Sequence, residues 1–338
     1  MKAFIRFTAL LLLLFIAALA WLLTDARDQL HAPLRIDGEL RIEVAAGARL
    51  RDAIAQLQQA EALASDRQAI YLELWARLTG DAGRIKSGEY RIEAGNTALS
   101  VLRLWVDGAV VLHELQLIEG TRFADALNLV RAHPQLEQTL EGKSAEAIMR
   151  ILGRDGQHPE GRLFPDTYRF PKRTRDVDFL RRAMSAMDAV LAQEWEKRAE
   201  DLPYDNADQA LIMASIIEKE TGKPEERQQI AGVFVRRLNK GMRLQTDPTI
   251  IYGLGDAFDG NLRKKDLLTD QPYNSYTRHG LPPSPICLPG RAAIHAALHP
   301  ADGDALFFVS RGDGSHQFSA TLKAHERAVR IYQLKKKQ

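Results

Sequence analysis

With 338 residues, 45% of them hydrophobic, and a formal net charge of +2, the chain can bury more than one core and carries no charge excess that would demand nucleic acid. Its basic runs, Arg181-Arg182, Arg263 to Lys265 and Lys335 to Lys337, are short and read as solvated faces. Cys287 is the only cysteine, which excludes an internal disulfide even in an oxidising compartment, so the fold must rest on its cores.

Lys2 and Arg6 precede an apolar run over residues 7–23, and the next charges are Asp25 and Arg27. The run reaches the roughly 17 residues that a helix needs to cross a bilayer. Cations on its short N-terminal side predict a cytoplasmic N-terminus (residues 1–6) and an exported body. Trp21 stands where an interfacial aromatic belongs. A cleaved leader is the competing reading, because Ala18-Leu19-Ala20 has small-x-small spacing; continuation through Trp21-Leu22-Leu23 favours an anchor that is kept.

Residues 24–39 are polar, contain Pro33, and read as a tether. The stretch 40–50 then alternates like a strand and turns at Gly47, after which Leu50, Ile54 and Leu57 have helical spacing. A second helix over 67–78, a short strand at Tyr90 to Ile92 and a helix ending near Gly108 complete a module over 40–109, the size of an independent binding unit. Another alternating stretch, 110–120, leads into a helix for which Thr121 is a candidate N-cap, and 135–147 reads as a helix pair or connector. Residues 110–159 are therefore expected to connect the module to a larger unit.

From Glu160 the texture changes. "EGRLFPDTYRF" crowds Gly, Pro and aromatics, and a long helix over 176–200 follows, then the apolar "DNADQALIMASIIEKE", then "QQIAGVFVRRLNKG". The end is rich in Gly, Pro, Tyr and Asn, with a strand "ALFFVS" and a helix "TLKAHERAVRIYQL". Helices and short strands alternate without a regular βαβ order, so the expected class is α+β, and 160–338 is expected to be one domain.

The chemistry starts where an apolar helix meets two carboxylates. Asn206 and Gln209 form a candidate capping box for a helix that is apolar nearly all round and hence central. Glu218 and Glu220 are two residues apart, roughly 200° around the axis, so they cannot serve one site together. Glu218 shares its face with Leu211, Ala214 and Ser215, and the Ser215 hydroxyl is within one turn of it. A carboxyl held against apolar surface has a raised pKa, the condition for a glutamic acid to protonate a leaving oxygen. These residues alone leave that reading beside a plain one, helix-end charges paired with Lys219, Arg227 or Arg236.

Asp247-Pro248 reads as a helix start, with Asp as N-cap and Pro at the first helical position. Gln245 beside it is a free amide that can read a sugar hydroxyl or acetamido group. "QPYNSYTRHGLPPSPICLPG" has five prolines, which fix a loop and put Tyr273, Asn274, Ser275 and Tyr276 at its rim. His295 and His299 are four apart, yet Ala296 follows where the zinc-peptidase pattern has glutamate, so ordinary hydrogen-bonded histidines are expected and no metal. Cys287 has no base in view and is expected to be inert.

In order and spacing, "EGRLFPDTYRF", "ASIIEKET", "RLNKGMRLQTDPTIIYG", "YNSYTRHGLPPSPI", "LPGRAAIHAALHPA" and "HQFSATLKAHERAV" resemble the YceG-like family of endolytic murein transglycosylases. The module at 40–109 is similar, more faintly, to that family's LysM-like subdomain. Ser284 and Cys287-Leu288 depart from the family's common residues, which touches the loop and not the carboxylates. The resemblance implies a catalytic glutamate at the first acid of "EKE", Glu218, and no cofactor. It also implies a single-pass protein of the cell inner membrane with a periplasmic catalytic domain. As partners it implies glycan strands of peptidoglycan, the inner membrane and peptidoglycan synthases.

An ordinary glycosidase needs two carboxyls. The resemblance implies a lytic reaction instead, in which the substrate's C6 hydroxyl attacks C1 and one residue serves first as acid and then as base. In that scheme Glu218 is the acid, Ser215, Gln245, Asn274 and Tyr276 hold the sugar, and Asp247 orders the loop. Two other classes stay open on the residues alone: a zinc hydrolase of the wall peptide using His295 and His299, and a non-catalytic wall-binding scaffold.

Overall fold

A computed structural model describes residues 1–334, in two compact units; Lys335 to Lys337 lie outside the described residues. The first unit holds residues 1–113 together with Arg169–Arg173, and the second holds the rest from Glu114. Helices and short strands are mixed throughout, an α+β architecture.

The first unit comprises α1 (Lys2–His31), β1 (Glu39–Val44), α2 (Leu50–Gln59), α3 (Asp66–Leu78), β2 (Gly88–Glu93) and α4 (Ala98–Asp107). β1 and β2 pair antiparallel with Ile42 opposite Tyr90, and Ile42, Val44, Tyr90 and Ile92 face the core. The helical spacing read in α2 holds: Leu50, Ala53, Ile54 and Leu57 are its buried face. α4 stops at Gly108, whose φ of 72° is the left-handed C-terminal turn that glycine adopts without strain.

α1 departs from expectation. Its apolar length is exposed and is long enough to cross a membrane. The residues expected to start a tether at Asp25 continue the same helix to His31. The reason is burial: Leu30 is 4% exposed, inside the first unit's core. A segment that reads as polar by composition is helical because one of its faces is covered.

The second unit takes in β3 (Leu112–Gln116, from Glu114), α5 (Phe123–Ala132), β4 (Leu136–Glu137), α6 (Ala145–Ile151), β5 (Thr167–Pro171, its first two residues), β6 (Thr174–Arg175), α7 (Asp176–Glu196), α8 (Ala207–Glu220), α9 (Arg227–Asn239), α10 (Asp247–Leu254), α11 (Lys264–Leu268), α12 (Arg291–Leu298), β7 (Phe307–Ser310), β8 (His316–Ser319) and α13 (Leu322–Val329). Residues 114–159 are thus part of this unit and no mere connector, with Phe123, Ala126, Leu127, Val130, Ile148 and Met149 buried. Thr121 does not cap α5. Arg122 holds the N-cap position, and the Glu160 carboxylate accepts the Phe123 N–H in place of a local cap.

α8 is the centre of the second unit. Every residue from Ala210 to Ile217 is buried, against Met187 of α7, Ile230 and Phe234 of α9, and Ile294 and Leu298 of α12. Asn206 caps it by accepting the Gln209 N–H, while the Gln209 side chain turns outward to accept from the Asp205 N–H, so the box closes one residue early. The last turn of α8 carries both carboxylates out of the core.

Candidate active site

Glu218 and Glu220 leave α8 in different directions, and their surroundings differ in kind. The Glu218 side chain is only 6% exposed. Gly290 donates its N–H to Oε2 at 2.9 Å, and an Arg227 guanidinium nitrogen lies 3.6 Å from Oε1. Burial raises the Glu218 pKa, the Gly290 N–H opposes that, neighbouring Glu119 adds to it, and Arg227 opposes it again. A Cβ at Gly290 would lie 1.9 Å from Glu119 Oε1, the end of an exposed side chain. Glu218 therefore clamps the segment leading into α12.

Glu220 is enclosed, at the wall of a groove. It lines a groove of about 470 Å³ together with Gln245, Asp247, Tyr276, Phe308 and His325. The Thr246 hydroxyl donates to its carboxylate. Burial lifts the Glu220 pKa to about 7; the Thr246 bond pulls it down, Asp247 pushes it up, and neighbouring His316 and Arg237 pull it down. Arg237 is itself fixed, donating to the carbonyls of Leu306 and Leu244 at 2.7 and 2.6 Å, so its charge stays beside the groove.

The second strand of the site comes from the start of α10. Thr246 is the N-cap and Asp247 the first helical residue, so the helix starts one residue earlier than the Asp-Pro pattern predicts. The shift frees the Asp247 carboxylate to accept the Tyr276 hydroxyl at 2.6 Å, which ties α10 to the proline-rich loop. Gln245 sits at φ +51°, in the left-handed region, with its N–H donated to the Ser275 carbonyl and its side chain exposed.

Two residues expected to hold sugar are internal. Ser215 is fully buried; its hydroxyl donates to the Ile212 carbonyl at 2.7 Å and accepts the Ile286 N–H at 3.0 Å, with no bond to Glu218. Asn274 is also fully buried, its amide donating to the carbonyls of Asp266, Leu267 and Thr269 while its oxygen accepts the Tyr276 N–H. Both brace the loop behind the groove, because a buried polar group must find its partners inside. Gln245, Asp247 and Tyr276 are brought together, around Glu220.

A third buried acid, Glu160, is 4% exposed and lifted to about 7 by burial, against the Phe123 N–H and the Tyr252 hydroxyl that it accepts. Cys287 is buried with its thiol donated to the Ser215 carbonyl, and burial raises its pKa, as an inert thiol requires.

Among the described residues, Glu194, His295 and His299 bring three donor atoms within 4.8 Å of one another. Glu194 already pairs with His295 Nδ1 at 3.0 Å and Arg291 at 2.9 Å. The two imidazoles lie 4.3 Å apart and only 30° from parallel, so their in-plane lone pairs run side by side instead of converging on an ion about 2 Å from each. The arrangement suits an ion pair and ring stacking.

The model of the YceG-like family matches residues 42–331. An endolytic murein transglycosylase of Bacillus subtilis is 37% identical over 183 residues, 54% of this chain and 50% of that protein. Another, of Streptococcus pneumoniae, is 31% identical over 206 residues, 59% of this chain and 35% of that protein. The chain thus spans half or less of the length of these relatives. A crystal structure of a YceG-like protein of Listeria monocytogenes aligns over 87% of this chain and all of its own, with a TM-score of 0.54 and 28% identity. The match runs from β1 through α13 and takes in both carboxylates, the groove and the loop that braces it: the chain belongs to the YceG-like family.

Proposed function

We propose that this protein is a membrane-anchored lytic transglycosylase that cuts nascent peptidoglycan strands internally, between MurNAc and GlcNAc, leaves 1,6-anhydro ends and so ends glycan elongation. Its family and the names of its relatives support the substrate class. One observation carries the chemistry: Glu220, with a pKa raised to about 7, lines the groove that Gln245, Asp247 and Tyr276 also line.

This reading moves the acid from Glu218 to Glu220. A general acid must reach the substrate and hold a proton near neutral pH. Glu218 has its oxygens turned to the Gly290 N–H and Arg227, while Glu220, which accepts the Thr246 hydroxyl, lines the groove. Glu220 protonates the glycosidic oxygen as the C1–O bond breaks. As carboxylate it then takes the proton of the C6 hydroxyl, whose oxygen closes on C1 and returns Glu220 to its starting state. Gln245 and Tyr276 hold the sugar, and Asp247 orders Tyr276. α1 serves as a single-pass anchor with the enzyme on the periplasmic side of the inner membrane, near the synthases, and the first unit is LysM-like and binds glycan.

One observation favours a second reading. Asp247 puts another carboxylate at the same groove, close enough to raise the Glu220 pKa, and two carboxyls flanking a bond are the equipment of a hydrolase. Mass spectrometry of products from purified glycan strands decides between them. Anhydro ends that vanish in Glu220→Gln support the lyase; ends carrying solvent oxygen overturn it in favour of the hydrolase; and anhydro ends that persist in Glu220→Gln but vanish in Glu218→Gln return the acid to Glu218.

A further inference from the structure

α3 has an apolar face that the first unit does not use. Gln68, Ala69, Leu72 and Ala76 are turned into the core, whereas Ile70, Leu74, Trp75 and Leu78 are 56%, 50%, 44% and 84% exposed. At i, i+4, i+5 and i+8 these four form one stripe, which continues the line of Arg67 and Tyr71 along the helix.

That line meets α1. Arg67 pairs with Asp25 at 3.0 Å, and the Tyr71 hydroxyl donates to Asp25 at 2.8 Å. At the start of α3, the hydroxyl of its N-cap Ser65 donates to the Gln29 side chain and the Gln68 amide to the Gln29 carbonyl. Rising numbers on α3 thus match falling numbers on α1, so the helices run antiparallel and the C-terminal end of α3 points back along the apolar run. Leu78 is seven residues past Tyr71, about 10 Å at 1.5 Å per residue. It therefore stands level with the turn of α1 around Ala18, and Trp21 and Leu22, level with Trp75 and Leu74, are also exposed.

We infer that the C-terminal half of α3 is seated in the outer leaflet of the bilayer beside α1, a second membrane contact that fixes the attitude of the first unit. This rests on the reading of α1 as a retained anchor. The occupant follows from depth. If the apolar run ends at Leu23, then Leu74, Trp75 and Leu78 lie within the roughly 5–10 Å that interfacial helices penetrate. The neighbouring polar groups fit as well: Tyr71 and Trp75 at the headgroup level, Arg67 paired to Asp25 just outside, and the exposed Arg77 paired with Glu73 one turn back on α3.

The test uses the full chain in vesicles of phosphatidylethanolamine and phosphatidylglycerol that carry brominated acyl chains. Tryptophan quenching is read for the parent protein, Trp75→Phe and Trp21→Phe. The expected result is that Trp75→Phe removes at least about half as much quenching as Trp21→Phe. Leu78→Glu, an exposed change that leaves the melting temperature alone, should lessen the quenching of Trp75. If Trp21→Phe lowers quenching and Trp75→Phe does not, the leaflet contact is overturned while the anchor stands; a face made for a protein partner gives that same result in these protein-free vesicles. If neither variant lowers it, α1 is not in the bilayer and the contact falls with it.

Discussion

The hydroxyl of Thr246 is donated to the carboxylate of Glu220, which joins the last residue of α8 to the residue that caps α10. A donor aimed at a carboxylate favours its charged form, so this bond works against the burial that lifts the pKa to about 7.

Replacing Thr246 by Val keeps the shape and deletes the donor, and the Glu220 pKa should rise further. A catalyst that needs its acid protonated loses activity as pH climbs through that pKa. The alkaline limb of kcat/KM against pH on glycan strands should therefore move upward. A limb that stays in place would show that the reaction does not report on this carboxyl.

Glu220 should also reduce stability at neutral pH. Its folded pKa of about 7 lies above the ordinary 4.5, so the folded state binds the proton more tightly than the unfolded one. That contribution is whole below 4.5 and is lost as pH rises through 7. Glu220→Gln has no proton to lose. Its melting temperature should match the parent near about pH 4 and exceed it by a few degrees near about pH 8. The same variant should lose about two to four orders of magnitude in turnover, the usual share of a general acid.

Ser215→Ala leaves the buried Ile286 N–H without an acceptor. The expected loss is about 1–3 kcal/mol, seen as a lower denaturant midpoint with an unchanged slope. If Ser215 touched sugar instead, stability would hold and KM would rise.

Gly290→Ala forces a methyl against the Glu119 carboxylate and disturbs the N–H that Glu218 accepts. The exposed Glu119 side chain can swing aside, so no more than about 1 kcal/mol of destabilisation is expected. Because the clash has one named partner, Glu119→Ala should relieve it, so the double variant should be more stable than the sum of the two singles implies. Additivity would place the strain elsewhere.

A chelator should leave turnover and melting temperature unchanged, since the Glu194, His295 and His299 side chains are committed to one another and to Arg291. Loss of activity that zinc restores would bring back the metallohydrolase.

The elements of both units were legible because their apolar positions repeat at helical or strand spacing, as in Leu50, Ile54 and Leu57 or the run from Ala210 to Ile217. The separation of Glu218 from Glu220 was legible too, since it needs only the angle between successive helical residues. Which of them lines the groove was not. That depends on Gly290, 72 residues from Glu218, and on Thr246, 26 residues from Glu220. Ser215 and Asn274 looked available for sugar because residue type displays a hydroxyl or an amide and hides the carbonyl and N–H groups that occupy it. His295 and His299 had metal spacing, yet spacing says nothing of ring tilt.

Glu220 is the final residue of a helix whose middle, Ala210 to Ile217, is buried without a break. Such a side chain has almost no freedom to travel, because moving its backbone would open the unit's interior. On the proposed mechanism, alignment must then be achieved by the polymer sliding along a stationary proton source. Where a strand is severed would be decided by how it is threaded past that fixed point, and chain-length preference becomes a matter of the path leading in.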